Sequence, residues 1–371
     1  MLDYRAKFVL APMVRIGELP TRLVALKYGA DLVWGPEIID KKLLTCERKY
    51  NEKLRTVDFL SKKGNKSIPG MTDVVFRTYP EMEKDKVVFQ MGTANPELAV
   101  EAAKIVINDV GAIDINAGCP KHFSIHAGMG AALLSTPDLL CNILTSLVTE
   151  VGRPNDKPIS VKIRLLPTKE DTLKLVTRLV NTGIANITLH CRTREMRNRE
   201  PPIRDYIDEI KQICVEHNVS FIINGSVQDY SEYKTLQEKY GDDVGAMIAS
   251  AAEINPTCFH KEGTLPWYTA AKDLVKFADQ FMNHPANTKY CIQRIIPNEK
   301  NSNPIYKLMM KAKTIEEISK VVLDQMDNEG KLVEDKNKAD ENTESEERKS
   351  QLKRKVEEPA PESASEKKIK I

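Results

Sequence analysis

Cys119 stands apart from the other cysteines of this chain. It sits in Asp114-Ile115-Asn116-Ala117-Gly118-Cys119-Pro120-Lys121, just past a strand-like run, with Lys121 and His122 beside it. A thiol held in such a Gly/Pro-flanked loop can act as a nucleophile or as a general acid. The bland alternative is a buried packing thiol, the commoner role for cysteine. The other six (Cys46, Cys141, Cys191, Cys214, Cys258 and Cys291) fall in helical or strand patterns and read as packing. A second glycine-rich stretch, His126 to Leu134, could fold back over Cys119. The seven cysteines are scattered, with no C-x-x-C pair, which argues against a disulfide framework or a metal ribbon and for a reducing compartment. No metal is expected.

A polar set recurs at the ends of other apolar runs: Pro12-Met13, Gln90, Asn116, Lys162 with Arg164, His190 with Arg192, Asn224-Gly225 and Ala249-Ser250. Each has a bland explanation when taken alone. His190 could be a satisfied core histidine, and Asn224-Gly225 an ordinary turn. Lys162 is harder to dismiss, because an ammonium buried without an anionic partner is costly. Together the set suits a flat, polar heteroaromatic cofactor carrying one phosphate. Gln90 and Lys162 can hydrogen-bond the carbonyl and nitrogen edge of an isoalloxazine, and a cation there stabilises charge gathered on reduction. Small residues in Asn224-Gly225-Ser226 and Ala249-Ser250-Ala251 let backbone N–H groups close on phosphate oxygens.

The elements that must position these residues alternate. Eight short β-rich runs are predicted: Phe8–Met13, Leu32–Glu37, Val87–Gly92, Ala112–Ala117, Ile159–Arg164, Asn186–Arg192, Ser220–Ser226 and Gly245–Ala251. Their nearly continuous apolar character is that of parallel strands buried on both faces. Helical periodicity fills the gaps, as in Glu97–Asn108, Asp138–Val151, Thr172–Val180, Tyr206–Val215 and Tyr230–Tyr240. The fold class is therefore α/β, a (β/α)8 TIM barrel over 1–264. An open doubly wound sheet would want G-x-G-x-x-G after the first strand, and Ala11-Pro12-Met13-Val14-Arg15 offers none. An inserted hairpin is expected around 55–80, and a small all-helical domain over 265–326.

From Asp327 to Ile371 the chain holds 13 acidic and 11 basic residues and no aromatic, so a disordered C-terminal tail is expected over 327–371. Its clusters Lys353-Arg354-Lys355 and Lys367-Lys368 are spaced like a bipartite nuclear signal, although a solvated polyampholyte tail produces the same clusters. The whole chain of 371 residues has a net charge of +2, and no run approaches the roughly 18 apolar residues of a membrane span. No signal-peptide pattern opens the sequence. A near-zero total does not exclude a nucleic-acid partner. Arg192, Arg194, Arg197, Arg199 and Arg204 lie close together beside the expected barrel mouth, with Lys272, Lys276 and Lys289 on the helical region.

In family order, the stretches Leu10-Ala11-Pro12-Met13-Val14, Phe89-Gln90-Met91-Gly92, Asp114 to Pro120, Ser160-Val161-Lys162-Ile163-Arg164, Leu189 to Arg194 and Ile223-Asn224-Gly225 resemble the tRNA-dihydrouridine synthases. The likeness is strongest to the eukaryotic branch acting at position 20 of the D-loop. The resemblance implies FMN-dependent reduction of the uracil C5–C6 bond, with NADPH or NADH as reductant. Hydride would pass from FMN N5 to C6, and Cys119 would protonate C5. It also implies that Pro12, Met13, Val14, Gln90, Lys162, His190, Asn224, Gly225 and Ala249 bind FMN. Asn116 would meet the uracil edge, and Arg192 and Arg194 the substrate side. The implied partner is tRNA, met by a monomer in the cytoplasm, the nucleus or both, with the helical region as the family's tRNA-contacting domain.

Two positions depart from the family pattern. Ser226 stands where an acidic residue or Gly often follows Asn-Gly, and Ser250 where Arg is common. Both are kept as cofactor-binding candidates, with a hydroxyl and backbone N–H groups in place of a charge. The competing readings are an FMN barrel acting on a small molecule, like a dihydroorotate dehydrogenase, and a non-catalytic tRNA-binding protein that keeps the barrel.

Overall fold

The computed structural model describes residues 2–62, 73–297 and 303–333. The strands in chain order are β1 (Phe8–Leu10), β2 (Leu32–Trp34), β3 (Ile38–Ile39), β4 (Cys46–Asn51), β5 (Thr56–Ser61) and β6 (Val74–Thr78). They continue with β7 (Val87–Gly92), β8 (Ala112–Ala117), β9 (Ile159–Leu165), β10 (Asn186–Thr193), β11 (Ser220–Asn224) and β12 (Gly245–Ile248). Eight of them, β1, β2 and β7 through β12, pair in parallel and close on themselves, because β2 pairs with β7 and β12 with β1. This is the expected closed barrel.

Its interior is filled by Tyr4, Val9, Ala11, Trp34, Val88, Ala112, Ile222 and Met247. The outward side chains of the same strands pack under the surrounding helices. The apolar runs are continuous because both faces are covered. Helix starts follow local chemistry. Asn95 accepts from Leu98 N at 2.7 Å ahead of Pro96–Val106, and Thr168 accepts from Asp171 N at 3.1 Å ahead of Lys169–Val180.

Four predicted strands are longer than the observed ones, the one expected over Ser220–Ser226 ending at Asn224 before the Gly225 turn. The first ends at Leu10, before Pro12, which has no N–H for a ladder. The second stops at Trp34, ahead of Gly35-Pro36, and pairing resumes only where Ile38 and Ile39 meet Met91 and Gly92. The last ends at Ile248, and Ser250–Ile254 turns into a helix. These truncations leave irregular backbone at the C-terminal rim, where a ligand can approach it.

The insertion is a three-stranded antiparallel sheet, β4-β5-β6. Its extra strand, Cys46-Glu47-Arg48-Lys49-Tyr50-Asn51, is largely exposed and shows no apolar alternation. A charged edge strand escapes a search for hydrophobic period. The segment joining β5 to β6 lies outside the described residues.

Beyond the barrel, helices Trp267–Gln280, Pro285–Ile295, Pro304–Lys311 and Ile315–Ser319 enclose a core of their own around Leu274, Ala278, Ile292, Ile305 and Ile318. Ile16 and Val24 from the barrel side join that core. Lys27 Nζ and Tyr28 Oη both donate to Asp273 Oδ2, at 2.5 and 2.6 Å. Asp327 to Val333 fold back as a turn, with Val333 N donating to Gln325 O at 2.8 Å. The rest of the expected tail, with both basic clusters, lies outside the described residues.

Candidate active site

At the C-terminal ends of the barrel strands a cleft of about 380 Å³ opens. Register explains which side chains meet there. Asn116 on β8 pairs with Lys162 on β9, and His190 on β10 lies between Arg164 on β9 and Asn224 on β11. Pro12, Met13, Val14, Gln90, Asn116, Cys119, Lys162, His190, Asn224, Ala249 and Ser250 all line this cleft. An adjoining lobe of about 120 Å³ adds Gly225, Ser226 and Arg192. Wider grooves of about 780 and 770 Å³ lie elsewhere, and neither is lined by any of these residues.

The thiol of Cys119 is partly exposed to the cleft, and its loop is held from three sides. Asn116 Oδ1 accepts from Gly118 N at 3.0 Å and Cys119 N at 3.1 Å. Arg164 Nε donates to Gly118 O at 2.8 Å, and its Nη1 donates to Thr193 O at 2.9 Å. From the other side Ala131 N donates to Cys119 O at 2.9 Å. The glycine-rich stretch does therefore fold over Cys119, and Gly130 is the residue that allows it. Its φ is +59°, and a Cβ there would lie 2.7 Å from Cys119 O. Burial raises the thiol pKa, a nearby Glu37 adds to this, and Lys121 and Ser124 offset part of it. A thiol with a raised pKa is protonated at neutral pH, which suits a general acid better than a thiolate nucleophile.

The cleft wall is cationic. Burial and the neighbouring Arg164 lower the Lys162 pKa to about 8, although Asp114 beneath it works the other way. His190 is driven far down, first by burial and then by Lys162, Arg164 and Arg192, so it is neutral. Arg192 Nη1 lies 3.1 Å from His190 Nε2. A guanidinium only donates, so Nε2 accepts and Nδ1 carries the proton.

In the small lobe, Gly225 has φ +120° and Ser226 φ +55°. Arg204 Nη2 donates to Gly225 O at 2.7 Å and steadies that turn. Arg192 was expected on the substrate side. Its buried guanidinium lies in this lobe, donating to Ser226 Oγ at 2.7 Å and Glu200 O at 2.7 Å. Ser226 thus does more than fill a turn: it fixes a cation. Ser250 lines both cavities without a charge, and Arg192 places one beside it.

Arg194 lines neither cavity and is exposed, as are Arg197 and Arg199. On the helical unit, Lys272 donates to Asn328, Lys289 to the carbonyl of Ala312, and Lys276 pairs with Asp273. Arg164, named with Lys162 at its strand end, enters the cleft, and so do residues outside the predicted set: Glu37, Asn198 and Glu253. Glu37 could have been found, since it ends a predicted strand as Gln90 and Asn116 do. Asn198 carries no such signal, because an irregular loop brings it in. Among the described residues no helix is long and apolar enough to cross a membrane, and no group of three metal-ligating side chains is found.

The residues present fit a flavin mononucleotide. An amide and an ammonium flank the main cleft, and the adjoining lobe pairs a buried Arg with an open, positive-φ turn, as an anionic phosphate requires. Comparison with known proteins agrees with this chemistry. The tRNA-dihydrouridine(20) synthase [NAD(P)+] of Saccharomyces cerevisiae is 53% identical over 337 residues, 89% of this chain and 86% of that protein. The Schizosaccharomyces pombe protein of the same name is 50% identical over 323 residues, 86% of this chain and 65% of that protein. The tRNA-dihydrouridine(20a/20b) synthase [NAD(P)+] of Saccharomyces cerevisiae is 29% identical over 260 residues, 70% of this chain and 63% of that protein. The profile described as Dihydrouridine synthase (Dus) matches residues 9–356, and with a closed barrel that carries its thiol and its cations on one rim, the chain belongs to the dihydrouridine synthase family.

Proposed function

We propose that this chain is an FMN-dependent tRNA-dihydrouridine synthase that reduces the C5–C6 bond of the uridine at position 20 of the tRNA D-loop, with NADPH or NADH as reductant. The observation that carries the reading is a loop-held thiol opening into the same cleft as Gln90, Lys162 and His190. FMN, when bound, supplies the hydride for uracil C6.

The residues do the rest. Gln90 and Lys162 hold the polar edge of the flavin ring, and the ammonium stabilises negative charge on it. Neutral His190 offers its Nδ1–H as a donor. Asn224 is fixed by its own Nδ2–H to Met247 O, at 2.9 Å, so its Oδ1 faces away from that bond. Arg192, Ser226 and the Gly225 turn take the phosphate, and Arg192 supplies the charge that Ser250 lacks. Asn116 spends its Oδ1 on the Cys119 loop and hydrogen-bonds the Glu37 carboxylate through its amide nitrogen, so one Nδ2–H remains for a uracil carbonyl. Cys119 delivers the proton to C5. The exposed Arg194, Arg197 and Arg199 meet the tRNA backbone near the mouth.

The test is reconstitution. The purified protein should absorb near about 450 nm, as flavins do. With NADPH or NADH and an unmodified tRNA transcript it should form dihydrouridine. A protein that takes up FMN and leaves every tRNA uridine unreduced would contradict the proposal.

A further inference from the structure

Beneath the cleft, one barrel layer carries a polar chain that ends on Gln90 and whose other members, Asp114, Ser160 and Tyr4, have no part in the reaction described above. Asp114 on β8 is fully buried, and its register partners are Gln90 on β7 and Ser160 on β9. Gln90 Nε2 donates to Asp114 Oδ2 at 2.8 Å. Ser160 Oγ donates to Asp114 Oδ1 at 2.7 Å, and Tyr4 Oη donates to Ser160 Oγ at 3.3 Å. A carboxylate only accepts, so the amide nitrogen of Gln90 must face it. That settles which way round the amide sits, and leaves the carbonyl Oε1 on the side of the cleft. Burial pushes the Asp114 carboxyl up, and the hydrogen bonds from Gln90 and Ser160, with the charge of Lys162, oppose it and favour the ionised form.

We propose that Asp114 is a positioning residue: by fixing the Gln90 amide it presents Oε1 as a hydrogen-bond acceptor, which selects a ring that offers an imide N–H. The isoalloxazine pyrimidine ring offers that group at N3. Without an acceptor below, the Gln90 amide can rotate and offer N–H instead, and the selection is lost. This inference rests on the flavin reading of the cleft.

The test compares binding of FMN and of N3-methyl-FMN to the flavin-stripped full chain, wild type against D114N and D114L. The wild type should prefer FMN by about tenfold or more, since the methylated ring leaves the buried Oε1 unpaired. D114N keeps an acceptor for Gln90 Nε2 and should keep most of that preference. D114L removes the acceptor and should reduce the preference to about threefold or less. A merely structural aspartate would weaken both flavins equally and leave the ratio unchanged, so an unchanged ratio in D114L overturns the proposal. So does a wild type without preference. If D114L does not give a folded circular dichroism spectrum, D114A, which adds no bulk, takes its place: a preference reduced to about threefold or less supports the proposal, and an unchanged ratio overturns it. A wild-type chain that binds neither flavin contradicts the flavin reading itself, whatever Asp114 does.

Discussion

Cys119 and Lys162 were legible in the sequence because each breaks a local rule. One is a cysteine in a Gly/Pro loop, and the other a lysine inside an apolar strand. The roles of Arg164 and Arg192 were not legible, since they depend on backbone carbonyls and a serine hydroxyl brought in by other loops. Cys119→Ala should retain FMN and lose dihydrouridine formation by about 10²- to 10⁴-fold in single-turnover assays, the usual worth of a positioned general acid. Retained activity would remove the thiol from the mechanism. Lys162 makes a pH prediction. Its pKa is lowered to about 8, so it is charged below that pH and neutral above it. Affinity for FMN should therefore fall as pH rises from about 7 to about 9.5, well before an ordinary lysine titrates. The profile of Lys162→Met should be flat over the same range. A wild-type affinity that is also flat would show that the ammonium does not contribute.

The eight barrel strands and the helical region could be read from the apolar pattern, because burial on both faces imposes it. The ends of β7 and β8 could be read too, whereas those of β1, β2, β11 and β12 could not, because a proline, a turn or the loss of a partner decides them. The charged edge strand Cys46–Asn51 could not either. At the C-terminal rim, the strand ends carry Gln90, Asn116, Lys162 and His190, while an irregular loop holds the thiol and depends on tight packing. Gly130→Ala should cut activity by at least about tenfold while FMN binding survives, since a Cβ would press on Cys119 O and the φ is unfavourable for alanine. Wild-type turnover in that variant would mean that the fold-back stretch does not set the thiol. The helix Leu19–Lys27 is tied to the segment before β7 by a fully buried ion pair. Arg22 Nε lies 2.6 Å from Glu83 Oε1, and Arg22 Nη2 lies 3.0 Å from Oε2. Glu83→Ala leaves a buried cation unpaired and should cost about 3–5 kcal/mol in denaturant unfolding. A loss under about 1 kcal/mol would show that water or the carbonyls of Gly17 and Arg77 already satisfy the guanidinium.

Across the molecule, the barrel and the helical unit are joined where Lys27 and Tyr28 meet Asp273. The net charge of +2 conceals an uneven distribution. Arg194, Arg197 and Arg199 are exposed beside the cleft, whereas the helical lysines named in the sequence are engaged with neighbours. Charge-reversal of the three arginines should therefore raise the KM for tRNA and flatten its salt dependence, with FMN affinity unchanged. The central claim is that this chain forms dihydrouridine at position 20 of tRNA with Cys119 as the acid. Nucleotide-resolution mapping of dihydrouridine in total tRNA, from cells that lack the gene, tests it most directly. The expected result is loss at position 20 alone, restored by the wild-type gene and not by Cys119→Ala. Dihydrouridine persisting at position 20 in the deletion strain would contradict it.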